Sequence, residues 1–278
     1  HGQLGDHDRV IADYTQVIAL EPDAADAYHS RGIAYGFKRE WHQAIEEYTQ
    51  AIALQPDLAG AYYGRGAAYG ELGNYNQAIE DDTRAIELQP DLAGAYYNRG
   101  IAYHEKGDHD RAIEDYTQAI ALEPDYVWAY FGRGSVYIAK GEYDQAIESY
   151  TQGIALQPGD AKAYYNRGVA YRFKEDYDRA IEDYTQAIEL QPDYVIAYHA
   201  RGVAYWCTGD DDQAIADFTQ VIALDPDDAG AYYSRGVAHQ EKGEKEAAIS
   251  DFETYLELSD DLDRRDEAEA RLKELIEG

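Results

Sequence analysis

Apolar residues in this chain recur with a spacing near 3.6, in short blocks separated by turn residues, and the blocks themselves repeat every 34 residues. The stretch 93–126, AGAYYNRGIAYHEKGDHDRAIEDYTQAIALEPDY, shows the unit when its residues are numbered as positions 1 to 34. Tyr96, Gly100 and Tyr103 fall at i, i+4 and i+7, on one face of a first helix, A. Ala112, Ile113, Tyr116, Ala119 and Ile120 fall at i, i+1, i+4, i+7 and i+8, on one face of a second, B. Asp91 is the expected N-cap of helix A, since its carboxylate can accept the unpaired N–H groups of the first turn. Gly107 is the expected left-handed stop, and Pro124 ends helix B because its ring cannot continue a helix and pushes the preceding residue out of helical geometry.

The punctuation confirms the period. All seven prolines, from Pro22 to Pro226, are 34 residues apart, and so are the Arg-Gly pairs that begin at Arg31-Gly32 and end at Arg235-Gly236. A fixed period of this size means stacked supersecondary units instead of one large core.

Gly at position 8, Tyr at 11, Ala at 20, an aromatic at 24, Ala at 27 and Pro at 32 resemble the tetratricopeptide repeat. The resemblance implies an all-α fold: an α-solenoid, a right-handed superhelix of tandem helical hairpins. Its frame places a trailing helix B in 1–24, full repeats at 25–58, 59–92, 93–126, 127–160, 161–194, 195–228 and 229–262, and a capping helix in 263–278. In that last segment Ala268, Leu272, Leu275 and Ile276 share a stripe. At the other end the first helix B, expected at 7–20, leaves Ile11, Val17 and Ile18 exposed unless something covers them. The chain opens on His1, and the sequence reads as a trimmed piece with an N-terminal portion missing.

Two positions depart from the family pattern. Arg fills position 7 throughout, where the family often has Leu; its stem is expected to pack between helices and its head to reach a helix B carboxylate. Asp82 occupies position 24, where the other copies carry Tyr48, Tyr116, Tyr150, Tyr184, Phe218 or Phe252. A buried carboxylate is unfavourable without a partner, and Asp82 is expected to be a tolerated local exception.

Composition narrows the function. With 55 acidic against 24 basic residues the net charge is −31, which repels phosphate backbones and anionic lipid headgroups, so neither nucleic acid nor a membrane surface is an expected partner. Apolar content of 45% is normal for a folded chain. No apolar run is long enough to span a bilayer and no targeting signal is present, so a soluble, cytoplasmic protein is the default expectation.

The resemblance implies that the second stripe of helix A, positions 2, 5, 6, 9, 12 and 13, lines a concave groove. Position 5 carries a ring in every copy: His29, Tyr63, Tyr97, Phe131, Tyr165, His199 and Tyr233. Trp128, Trp206, Phe37 and Phe173 add further rings, and Asn98 and Asn166 add backbone-bonding amides. The charged members are Asp26, Glu71, Glu105, Lys162, Arg172 and Glu241, so the stripe is nearly neutral and the acidity lies elsewhere. Lys, Arg and Asn are too sparse on it to carry over the family's carboxylate-clamping subtype. The expected function is a protein–protein interaction scaffold that binds a peptide or partner segment along Tyr63, Tyr97, Asn98, Trp128, Phe131, Tyr165, Asn166, Arg172, Phe173, His199, Trp206 and Tyr233. The position 5 rings could instead serve chiefly to pack against neighbouring helices. The alternative function is a structural solenoid that self-associates end to end through its open N-terminal face.

Catalysis is not expected, nor any cofactor or metal. His104 and His109 flank a helix end near Asp108 and Asp110, but a spacing of i, i+5 does not put two imidazoles on one helical face. Asp210-Asp211-Asp212 lacks calcium-loop spacing, and Cys207 and His199 are about 12 Å apart along one helix.

Overall fold

The computed structural model describes residues 2–277. Its described residues form sixteen helices and no strand, in two compact units that divide at Gly141 and Glu142. The first unit holds α1 (Gly2–Leu20), α2 (Ala25–Phe37), α3 (Trp41–Leu54), α4 (Ala59–Glu71), α5 (Tyr75–Leu88), α6 (Ala93–Glu105), α7 (His109–Leu122) and α8 (Val127–Lys140). The second holds α9 (Tyr143–Leu156), α10 (Ala161–Phe173), α11 (Tyr177–Leu190), α12 (Val195–Thr208), α13 (Asp211–Leu224), α14 (Ala229–Glu241), α15 (Lys245–Leu258) and α16 (Leu262–Glu277). Within each unit the helices form tandem hairpins, the arrangement of an α-solenoid. The division between units falls inside 127–160 and so cuts across the repeat count.

Local chemistry explains the breaks. The residue before each proline is extended, as at Glu123 (φ −128°, ψ 91°) and Gln191 (φ −136°, ψ 91°), which ends helix B. Helix A closes on position 15, where Gly73, Gly107, Gly141, Gly209 and Gly243 take φ between 73° and 79°. The same turn is imposed on Arg39 (φ 59°) and Glu175 (φ 60°), residues that pay a steric penalty for it. The Asp108 N–H bonds Tyr103 O at 2.8 Å across this turn.

Capping differs from the sequence reading. Leu92, not Asp91, is the residue that opens α6, and no side chain caps it. The boundary of helix A lies at position 34, so an acid caps a helix A only where it stands there: Asp160 accepts from Ala163 N and Asp228 from Ala231 N, each at 3.0 Å.

Small residues carry the seam of helix A. In α6 the buried residues are Ala93, Ala95, Gly100 and Ala102, while the larger Tyr96 and Tyr103 are half-buried. Ala and Gly let the helices approach, and the ring at position 24 fills the space between them. A Cβ on Gly100 would stand 2.9 Å from Tyr116 Cε1, and one on Gly132 in the next helix 2.8 Å from Tyr116 Cζ. The ring is therefore held between two glycines.

The arginines do what their placement predicts. Arg99 Nε and Nη2 both donate to the Asp115 carboxylate at 2.8 Å, and its Nη1 donates to Thr83 Oγ1 at 3.0 Å on the preceding helix B. Arg65, Arg167, Arg201 and Arg235 repeat the pattern with Asp81, Asp183, Asp217 and Asp251, and Arg31 uses Glu47. The half-buried tyrosine at position 4 lies beside each guanidinium, with Arg99 Cζ 5.6 Å from the Tyr96 ring centre.

At the ends, α1 reaches Gly2, earlier than the 7–20 expected, and α2 half-buries Ile11 and Ile18, leaving only Val17 of the three exposed. In α16, Ala268 is fully buried and Leu272 and Leu275 pack on the Phe252 and Tyr255 cluster. Ile276 departs from expectation: it lies in the last turn of α16, about 80° around the helix from Ala268 at the edge of the stripe, and is 60% exposed.

Candidate functional site

The rings at position 5 are half-buried, and His29, Tyr97, Tyr165, His199 and Tyr233 pack on the core ring of their own repeat. Tyr97 lies 5.8 Å from Tyr116 and 5.1 Å from Tyr126 between ring centres. Tyr165 repeats this with Tyr184 and Tyr194 at 5.7 and 5.5 Å, and His199 and Tyr233 sit against Phe218 and Phe252. Where the core ring is missing, beside Asp82, Tyr63 turns its hydroxyl toward Gly94, 2.8 Å from where a Cβ would stand. These rings thus brace the core with one face.

Rings at the other stripe positions project further. Trp128 is 50% exposed and meets Phe131 edge to face at 6.0 Å; Trp206 is 40% exposed. Phe173 stacks flat on Tyr143 at 5.0 Å while the Arg172 guanidinium lies 4.7 Å from its centre.

The predicted residues gather in clusters. In the second unit, Tyr165, Arg172 and His199 line a cavity of about 430 Å³ with Val169, Ile196 and Tyr184. The Tyr184 hydroxyl is buried there without a hydrogen-bond partner. Burial pushes the His199 imidazole below its usual pKa, so it is neutral at physiological pH, with Nε2 3.5 Å from Ser234 Oγ. Apolar walls, the Arg172 guanidinium, the Asp228 carboxylate, a neutral imidazole and a buried phenol suit a ligand group that is apolar with a polar tip. Trp206 and Tyr233 share a separate cavity of about 240 Å³ with Glu267 and Arg271 of α16.

In the first unit, Tyr63 lines an apolar cavity of about 570 Å³ with Ile33, Phe37, Trp41 and Tyr48. Asn98 lines another of about 330 Å³, with Glu71, Tyr75 and Glu105. Asn166 is half-buried on α10. Sequence reasoning missed Trp41, Glu267 and Arg271, because they come from helix B and the final helix and not from the second stripe of helix A.

His104 and His109 do meet, with Nδ1 atoms 3.3 Å apart, since they face each other across the turn from different helices. Among the described residues no group of three or more His, Cys, Asp or Glu is placed to hold a metal ion, and no helix is long and apolar enough to cross a membrane.

Comparison with known proteins agrees with the fold. The tetratricopeptide repeat matches residues 161–194 and 202–273, and a further TPR repeat family matches 40–73, 68–107, 102–141 and 134–172. Among solved structures, MamA is 32% identical, covering 57% of this chain and 92% of its own, with a TM-score of 0.56. YrrB, described as a TPR protein with an unusual peptide-binding site, is 27% identical over 68% of this chain and 97% of its own, with a TM-score of 0.58. The C-terminal part of a TPR repeat-containing protein from Cytophaga hutchinsonii shares the fold with a TM-score of 0.74 at 20% identity, over 86% of this chain and 98% of its own. No match is found among curated proteins.

Proposed function

The chain belongs to the tetratricopeptide repeat family and is a protein-interaction scaffold, and from that premise we propose that it holds an extended or helical segment of a partner protein against the exposed rings of its A helices, without catalysing a reaction. The observation that carries the reading is the cavity on α10 and α12. There Tyr165, Arg172 and His199, separately predicted from the stripe, converge on one space beside the exposed Ile196. The peptide-binding site described for YrrB supports the same use of the fold.

Trp128 and Trp206 are proposed as anchors. An exposed indole adds large contact area at low entropic cost and typically contributes about 2 kcal/mol or more at such an interface. Capture of a partner from a lysate of the source, with the double variant Trp128→Ala/Trp206→Ala as control, tests this. Retained capture by the variant, with the fold intact by circular dichroism, rejects the groove. End-to-end stacking is the competing reading, and a mass that rises with concentration in light scattering would favour it.

A further inference from the structure

The cavities lined by Tyr63 and by Asn98 are the same cavity in successive repeats. Shifting the residues of the first by 34 carries Ile33 to Ala67, Gly36 to Gly70, Trp41 to Tyr75, Ala44 to Ala78 and Ala68 to Ala102, all of which line the second. Three of the shifted positions change character. Phe37 becomes Glu71, Gly64 becomes Asn98, and Tyr48 becomes Asp82.

The loss of the ring has a local consequence. Gly32 lies under Tyr48, 2.8 Å from Cε1 to a Cβ placed there, whereas its counterpart Gly66 meets Asp82 Oδ1 at 2.9 Å and lines the cavity. Asp82 is fully buried and neither carboxylate oxygen has a hydrogen-bond partner. Its neighbour Asp81 is already held by Arg65, and Asp115 by Arg99. The rim carries Glu71 and Glu105, the latter 3.5 Å from the Tyr75 hydroxyl, and no basic residue lines the cavity. A core carboxylate without a partner thus lies behind Gly66, in the wall of a cavity whose rim has turned from apolar to acidic in that same repeat.

We propose that this cavity, on the first unit, is a subsite that receives an organic cation, the ammonium or guanidinium of a lysine or arginine side chain on the docked partner segment. The inference rests on the scaffold reading above and specifies one chemical feature of its partner. Asp82 acts through Gly66 by its field, which is strong in an interior of low dielectric even without direct contact. Burial, and next the charge of Asp81, hold the Asp82 carboxyl well above the usual carboxylate range, and a cation entering beside it favours the ionised form, so binding and loss of the proton are linked. The other charged and titratable groups facing it are the Arg65–Asp81 and Arg99–Asp115 pairs, Tyr63, and the rim acids Glu71 and Glu105. The pairs are internally neutral, and the rim acids favour the cation at neutral pH.

The test uses the full chain and small probes at constant ionic strength: n-butylammonium and n-propylguanidinium for the two side chains, with n-butanol as the neutral control. Amide chemical shifts of Gly66, Ala78 and Asn98 are followed by NMR. A saturable response to a cation but not to butanol is expected, tighter at higher pH, and weakened roughly tenfold by Asp82→Asn with the pH dependence lost. Glu71→Gln, a change at the rim outside the core, is expected to weaken it too. No saturable cation response, an equal response to butanol, or unchanged binding in Asp82→Asn overturns the proposal. Because the probes need no partner, failure here leaves peptide docking standing, and failure of partner capture with cation binding retained leaves the subsite standing. The stronger of the two cations identifies the side chain.

Discussion

Asp81 and Asp82 are adjacent, both are buried, and they differ in one respect: Asp81 accepts two hydrogen bonds from Arg65, at 2.7 and 2.8 Å, and Asp82 accepts none. Burial explains neither state alone. The partnered acid sits at position 23, where the arginine ladder reaches; the unpartnered one sits one residue on, in the slot of a core ring.

Stability at that slot is therefore open to improvement. Asp82→Tyr restores the ring found at Tyr48 and Tyr116 and is expected to stabilise the fold by about 1–3 kcal/mol in urea unfolding at neutral pH, where wild type carries the cost of a buried acid. The folded-state carboxyl is raised above its unfolded value, so its contribution is fully present below about pH 4 and is lost as pH rises toward the folded pKa. Wild type should thus lose stability relative to Asp82→Asn as pH climbs from 4. A constant difference across that range would mean that the group does not titrate between the two states.

Two glycines make a matched pair. Gly100→Ala forces a methyl to 2.9 Å from Tyr116 Cε1 and is expected to cost about 1–3 kcal/mol. Gly70→Ala, in α4, meets nothing within 4 Å and should stabilise by about 0.5–1 kcal/mol through helix propensity. Thermal melts of both variants check the signs, which must be opposite.

The arginine ladder predicts non-additivity. Arg99→Met leaves Asp115 buried and unpaired and should cost about 3 kcal/mol, whereas adding Asp115→Leu should recover most of that loss. A double-mutant cycle measures the coupling, and an additive result would show the pair to be independent.

Arg39 and Glu175 occupy the left-handed turn that glycine fills in other repeats. Arg39→Gly and Glu175→Gly should each stabilise by about 1 kcal/mol, despite removing a side chain and adding freedom to the unfolded chain. Chemical denaturation reads this directly, and a loss of stability would show that side-chain contacts at these turns outweigh the strain.

The hairpin frame was legible because proline and glycine act locally: Pro124 ends a helix and Gly107 turns a corner whatever surrounds them. The Arg99–Asp115 bond was legible in kind, since a charge at a fixed core position requires an opposite charge. Asp91 was misplaced as a cap because a boundary shift of one residue changes which side chain reaches the open N–H groups. The meeting of His104 with His109 depends on the path of a turn, which helical spacing does not describe. The site clusters were the least legible. Trp41 joins Tyr63, and Arg271 joins Trp206, across helices whose approach is set by buried alanines and glycines that a search for large apolar residues passes over.

The offsets of the ladder are symmetrical: Arg99 reaches 16 residues forward to Asp115 and 16 back to Thr83. A tandem duplication or loss of one 34-residue unit preserves both offsets at every junction, and a gain or loss of any other length breaks them at the point of change. Growth or shrinkage in whole repeats thus keeps the ladder intact, and within each repeat exposed stripe positions such as Trp128 and Trp206 lie outside it.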